Sequence, residues 1–185
     1  MLLGPAFGPR AKEPSTIDEL AEKRAAEGLP SCARFAKVVM SGIAYDEGNI
    51  FAKIIAGDIP CFKIFETEHA LAFLDAFPSA EGHSLLIPKA SGYATVMDMP
   101  PDVAANVLSE LPRLARAVKK TTGCDGVTIL QNNGTAAGQE VFHAHFHVIP
   151  RKNGDALMTL PKGASAMITP DAANPLLEQI KANLD

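Results

Sequence analysis

The sequence predicts an α+β domain, an antiparallel sheet of five strands with one main helix packed on it. Three observations lead there. Runs with strand character succeed one another across loops too short for crossovers, which parallel pairing would require. One long stretch, opened by Pro100 and Pro101, carries sustained helical periodicity. The chain has 185 residues, 47% hydrophobic and 21% charged, which suits one soluble domain able to bury a sizeable core.

The elements follow in order. Residues 1–14 mix Gly, Pro and charge without periodicity and read as a disordered tail. Thr16 and Glu19 form a capping box for a short helix whose apolar stripe is Ile17, Leu20 and Ala21, stopped by Gly28 and Pro30. Residues 31–48, interrupted by Gly42 and Gly48, hold too little apolar content to fold alone. Either this stretch drapes over the body of the protein, or Met40 is the true start and the residues upstream are inessential. The compact domain begins near Asn49, with Ile50, Phe51, Ile54 and Ile55 at helical spacing before Gly57 and Pro60. Strands are expected at Phe62 to Phe65, Ala70 to Leu74 and His83 to Ile87. In the long helix Val103, Val107, Leu111, Leu114 and Val118 share a face, Lys119 and Lys120 favour its end, and Gly123 closes it. Pro112 should kink that helix or split it in two. A fourth strand is expected from Gly126 to Gln131, and a fifth from Val141 to Ile149 before Pro150. A terminal helix is expected over Leu176 to Leu184. The resulting organisation is an N-terminal extension over 1–48, the domain over 49–151, and a tail over 152–185.

Composition excludes several classes. A net charge of -4 argues against a protein that grips nucleic acid, because phosphate backbones are held by excess Lys and Arg. No apolar run approaches the roughly 18 residues of a membrane span. Cys32, Cys61 and Cys124 offer neither a disulfide framework nor a CxxC clamp, so a reducing compartment is the default. Acidic residues near the N-terminus speak against a transit peptide, and the expected address is the cytoplasm.

Of the five histidines, three fall in His143-Ala144-His145-Phe146-His147. On a strand, positions i, i+2 and i+4 share a face, so the three rings should line one surface at about 6.5–7 Å spacing. Phe142, Ala144, Phe146 and Val148 would then face the helix. Two chemistries use such a row. A strand of alternating His can ligate a metal, although the nearby acids Glu140 and Asp155 are poorly placed to orient the outer ring nitrogens. Alternatively, a neutral imidazole attacks phosphorus while a neighbouring ring stabilises a phosphoryl oxygen or protonates the leaving group. The preceding loop, Gln131 to Gln139, tilts the balance towards phosphate, because its amides and small residues let backbone N–H groups approach an anion.

His143-Ala144-His145-Phe146-His147-Val148-Ile149 resembles the signature of the histidine triad (HIT) family. Asn49 to Ile55, Leu74-Asp75, Gly82 to Lys89 and Gly138-Gln139 resemble further family blocks in the family's order, so the resemblance covers about Asn49 to Arg151. It implies a HIT-like fold paired into a homodimer, with no cofactor. It also implies hydrolysis or transfer of a nucleoside monophosphate group, adenine being the expected base. By resemblance His145 would be the nucleophile forming a nucleotidyl-histidine, His147 would contact phosphate and assist the leaving group, His143 would orient His145, and His83 would complete the cluster. Asn132, Gly138, Gln139 and Glu140 match the phosphate-contacting loop, Asp75 a ribose-binding acid, and Ile50, Phe51, Ile54 and Phe73 the base slot.

The departures from the family pattern also carry information. Some members bind zinc through two Cys at the positions of Asn49 and Ala52, so no structural metal is expected here. Glu140 stands where the phosphoramidase branch has Ser and the dinucleoside-polyphosphate branch has Thr, and a carboxylate there should favour amine over polyphosphate leaving groups. Pro150-Arg151-Lys152 instead resembles the polyphosphate and bacterial-type branches. Two rival functions remain: a non-catalytic nucleotide-binding scaffold, and a metalloprotein built on the histidine row.

Overall fold

The sheet runs β1 (Lys63–Glu66), β2 (Ala70–Leu74), β3 (Ser84–Pro88), β4 (Gly126–Leu130) and β5 (Phe146–Arg151) in chain order. In space the order is β1-β2-β3-β5-β4, with every pairing antiparallel. The computed structural model describes residues 41–157 and 167–184, so the helix expected behind Thr16 lies outside the described residues. The chain divides into two compact units, one ending at Asn153 and one beginning at Gly154.

Helix α1 (Ile50–Ala56) starts where Asn49 accepts from the Ala52 N–H at 2.9 Å and donates to the Asp46 carbonyl at 2.6 Å. It stops at Gly57, whose φ of 86° is the left-handed cap that glycine adopts freely. Pro112 does split the long helix. α2 (Pro101–Leu108) ends at Leu108 with Ser109 as its cap, and α3 (Leu111–Thr122) restarts with Pro112 in its first turn, where a missing N–H leaves no helical bond unmade. In the second unit, α4 (Pro170–Ala182) begins six residues before the expected Leu176, because Pro170 and Asp171 make a favourable first turn.

The sheet carries two apolar layers. On one face Ala70, Ala72, Leu86, Phe146 and Val148 pack with Val107, Leu114 and Val118 of the helix pair. On the other, Leu71, Phe73, Leu85 and Ile87 pack with Phe51 of α1. Strand alternation produces this division, sending successive side chains to opposite faces.

Strand β5 corrects the sequence reading. It begins at Phe146, not Val141. Residues 141–145 leave the ladder: the His143 N–H turns back to the Val141 carbonyl at 2.9 Å, and the Ala144 N–H bonds the Tyr93 carbonyl at 2.8 Å. Ala144, Phe146 and Val148 still reach the helix-facing layer, whereas Phe142 is half-buried and stands outside it. Two short 3-10 turns, Val96–Asp98 and Thr135–Ala137, were not anticipated. At three residues each they leave no periodicity to read.

Candidate active site

Four of the five histidines gather on the α1 side of the sheet. Leu85 lies opposite His147 in the β3–β5 ladder, which puts His83 diagonal to His147. Their rings stand 5.1 Å apart, and the His145 and His147 rings 4.9 Å apart. The spacing is closer than an even row along one strand, because His145 precedes the strand and its ring leans edge-on to His147. Asp75 follows β2 and joins the cluster through its N–H bond to the His83 carbonyl at 3.0 Å. Its Oδ2 lies 3.5 Å from His83 Nδ1 and 3.9 Å from His147 Nδ1.

Hydrogen-bond partners assign the tautomer of each ring. A carbonyl oxygen can only accept, so His143 Nε2, 2.9 Å from the Pro88 carbonyl, carries a proton. His143 Nδ1 then accepts from the Tyr45 hydroxyl at 2.6 Å. His145 Nδ1 lies 2.7 Å from the His143 carbonyl and is the protonated nitrogen of that ring, leaving Nε2 with a free lone pair. Around His83 the pattern reverses. The Ser79 N–H donates to His83 Nδ1 at 3.1 Å, so the proton sits on Nε2 and is donated to His147 Nδ1 at 3.0 Å. His147 therefore keeps its own proton on Nε2. The cluster sets an unprotonated nitrogen, His145 Nε2, beside a ring that carries an N–H, His147.

Burial keeps the rings neutral. It pushes His143 down to about 4, against the upward pull of the Pro88 carbonyl. Burial first, then the neighbouring His145 and His83, push His147 down to about 4, with Asp75 opposing. His145 is lowered by burial and held up in part by the His143 carbonyl and Asp75. His83 is lowered by burial against the pull of Asp75. At neutral pH the lone pair on His145 Nε2 is therefore available without prior deprotonation.

The remaining expected residues divide into two groups. Leu130 stands opposite His147, so the chain leaves β4 beside the histidines and enters the loop carrying Asn132, Gly138, Gln139 and Glu140. Asn132 Nδ2 donates to the Gly138 carbonyl at 3.3 Å, and Gly138 holds a φ of 81°. Gln139 is buried and shapes the loop: its Oε1 accepts from Gly134, and its Nε2 donates to the carbonyls of Ala94 and Val141. Glu140 is exposed. Of the four expected base-slot residues, Ile50 is half exposed on α1 and Ile54 is partly buried, while Phe51 and Phe73 belong to the core. The Phe51 ring meets the His143 and His145 rings edge-on at 6.0 and 5.1 Å, which ties α1 to the cluster.

Tyr45 was not anticipated. Its partner is 98 positions away in the chain, and no local pattern links the two. The one available signal was the scarcity of tyrosine, since the chain has two and the other, Tyr93, supplies the carbonyl that anchors Ala144.

Among the described residues, Asp75, His83 and His147 each place a ligand atom within 4.8 Å of the others, a spacing that could hold a metal ion. The hydrogen bonds disfavour that use. An ion there would compete with the Ser79 N–H for His83 Nδ1 and with His83 for His147 Nδ1. Asn49 serves as the cap of α1.

The family model described as "HIT domain" matches residues 56–154. The adenylylsulfatase HINT3 of Arabidopsis thaliana is 47% identical over 108 residues, covering 58% of this chain and 54% of that protein, so the match spans about half of the relative's length. The adenosine 5'-monophosphoramidase HNT1 of Saccharomyces cerevisiae is 46% identical over 108 residues, covering 58% of this chain and 65% of that protein. The crystal structure of a HIT family member from Bacillus subtilis superimposes with a TM-score of 0.71 at 37% identity, covering 75% of this chain and 99% of that one.

Proposed function

The chain belongs to the HIT family, and from that premise we propose that it is a hydrolase or nucleotidyl transferase acting at the α-phosphate of a nucleoside phosphate, through covalent His145. The reading rests on one observation: the His143 carbonyl accepts a hydrogen bond from His145 Nδ1–H, which leaves Nε2 unprotonated beside the His147 N–H donor. In the first step the Nε2 lone pair of His145 bonds the α-phosphorus as the bond to the leaving group breaks. The modified ring becomes cationic, and the His143 carbonyl at its Nδ1–H stabilises that charge. The anionic substrate and Asp75 favour an extra proton on the hydrogen-bonded His83–His147 pair. The pair gives that proton to the leaving atom through His147 Nε2. In the second step water attacks the nucleotidyl-histidine, His145 departs neutral, and the pair is protonated again.

The loop from Asn132 to Glu140 would hold the phosphate through Asn132 and backbone N–H groups, with buried Gln139 fixing the loop's shape. Asp75 would accept from the ribose hydroxyls. Ile50 and Ile54 would border the base, with Phe51 and Phe73 beneath them. Relatives named for adenylylsulfate and adenosine monophosphoramidate chemistry support an adenylyl substrate with a nitrogen or sulfate leaving group. The same reading includes a homodimer and a cytoplasmic address.

His145→Ala is expected to fold and to bind AMP, but to lose several orders of magnitude of turnover on adenosine 5'-phosphoramidate. Rapid-quench mass spectrometry of the unaltered protein should trap an adenylyl group on His145. Near-normal turnover by the variant would refute the assignment, and a protein that binds AMP without ever becoming adenylylated would be a nucleotide-binding scaffold.

A further inference from the structure

We propose that Tyr45 is a positioning residue for the nucleophile, held over the histidines by a strap formed by residues 41–45; the inference rests on the reading of His145 as nucleophile. Three side chains of the strap land on parts that build the site. The Ser41 N–H and hydroxyl donate to Asp98 at 2.9 and 3.0 Å. Asp98 also accepts from the Thr95 N–H and hydroxyl, at 2.8 Å each. That turn is bonded in turn to the phosphate loop, through Val96 N–H to Asn133 and Gln139 to the Ala94 carbonyl. Ile43 reaches the same loop, its Cδ1 lying 3.6 Å from where a Cβ on Gly134 would stand. Tyr45 places its hydroxyl on His143 Nδ1.

The third contact bears on the chemistry. His143 is wholly buried, and the Pro88 carbonyl obliges its Nε2 to carry the proton. Its Nδ1 lone pair then needs a donor, since a buried acceptor without one is unfavourable. The Tyr45 hydroxyl is that donor. With both nitrogens engaged, the ring has one tautomer and one orientation. Its own carbonyl, which holds the Nδ1 proton of His145, is fixed with it. Tyr45 thus acts on the nucleophile through His143 and touches no reacting atom.

Tyr45→Phe removes the hydroxyl and keeps the ring that lies 5.6 Å from His143. Imidazole nitrogen-15 shifts should report His143 as the Nε2–H tautomer with a hydrogen-bonded Nδ1 in the unaltered protein, and should lose that signature in the variant. On adenosine 5'-phosphoramidate, kcat is expected to fall tenfold or more while KM stays within twofold. Retention of either the tautomer signature or the kcat by the variant overturns the inference, even if its melting temperature drops. If the unaltered protein turns over no substrate, the enzyme reading fails instead, and the nitrogen shifts alone then judge the hold of Tyr45 on His143.

Discussion

Glu140 and Gln139 are adjacent and do opposite things. The Gln139 side chain is turned inward and spends its amide on three backbone partners, so it gives the loop its shape. Glu140 is exposed at the end of the same loop and presents a carboxylate where phosphate is expected to bind. A unit charge about 6 Å from a leaving group in a water-like medium contributes on the order of 0.7 kcal/mol, roughly threefold in rate. A polyphosphate leaving group is disfavoured by that amount, and a protonating amine is not. Glu140→Ser should therefore raise kcat/KM on a dinucleoside polyphosphate about threefold relative to a phosphoramidate. The difference should shrink as salt is added. An unchanged ratio between the two substrates would show that the carboxylate does not select the leaving group.

At the scale of elements, the corner between the loop after β2 and strand β3 sets the position of His83. Gly82 turns it with a φ of 86°, and a Cβ there would stand 2.6 Å from Thr122 Cγ2 at the end of α3. The Thr122 hydroxyl donates to the Val118 carbonyl at 2.9 Å, so its methyl cannot rotate away without losing that bond. Gly82→Ala should cost about 2–3 kcal/mol, combining left-handed strain with the clash. Adding Thr122→Ser, which removes the methyl and keeps the hydroxyl, should recover the clash and leave about 1–2 kcal/mol of strain. Urea unfolding of the two variants would measure both, and equal stabilities would mean that the helix end does not press on the corner. Several elements were legible in the sequence through a local cause, although the start of α4 at Pro170 was not. Pro112 announced the break between α2 and α3, and Gly57 and Gly123 the helix ends. The start of β5 was not legible, because alternation runs unbroken from Phe142 through Val148 while the Ala144 N–H is taken by Tyr93, some fifty positions earlier. The histidine cluster was legible as a row of residue types. Its tautomers were not, since they depend on carbonyls and N–H groups from Pro88, Ser79 and His143 that any sequence supplies.

For the whole molecule, the burial that readies the histidines also makes the fold sensitive to acid. His143 and His147 titrate near 4 in the folded protein and near 6.5 when unfolded. Between those values the unfolded chain binds more protons, so stability falls as pH drops from about 6.5 towards 4. His145 and His83 are displaced in the same direction and add to the effect. The depression of His143, the most buried of these rings, corresponds to about 3 kcal/mol once pH is below its folded value. That is a large share of the 5–15 kcal/mol typical of a domain. The carboxylates act elsewhere. Glu66, held down to about 2 by Lys63 and Lys89, loses its partners only in stronger acid, as does Asp98, whose bonds to Ser41 and Thr95 outweigh its burial. Calorimetry from pH 7.5 to 4 should therefore show the melting temperature level above about 7 and falling steadily below 6.5. His143→Gln should be less stable at neutral pH but should flatten the acid slope, because a neutral amide has no proton to gain. A melting temperature independent of pH between 6.5 and 4.5 would mean that the rings titrate normally in the fold, and that His145 is not kept neutral by its surroundings.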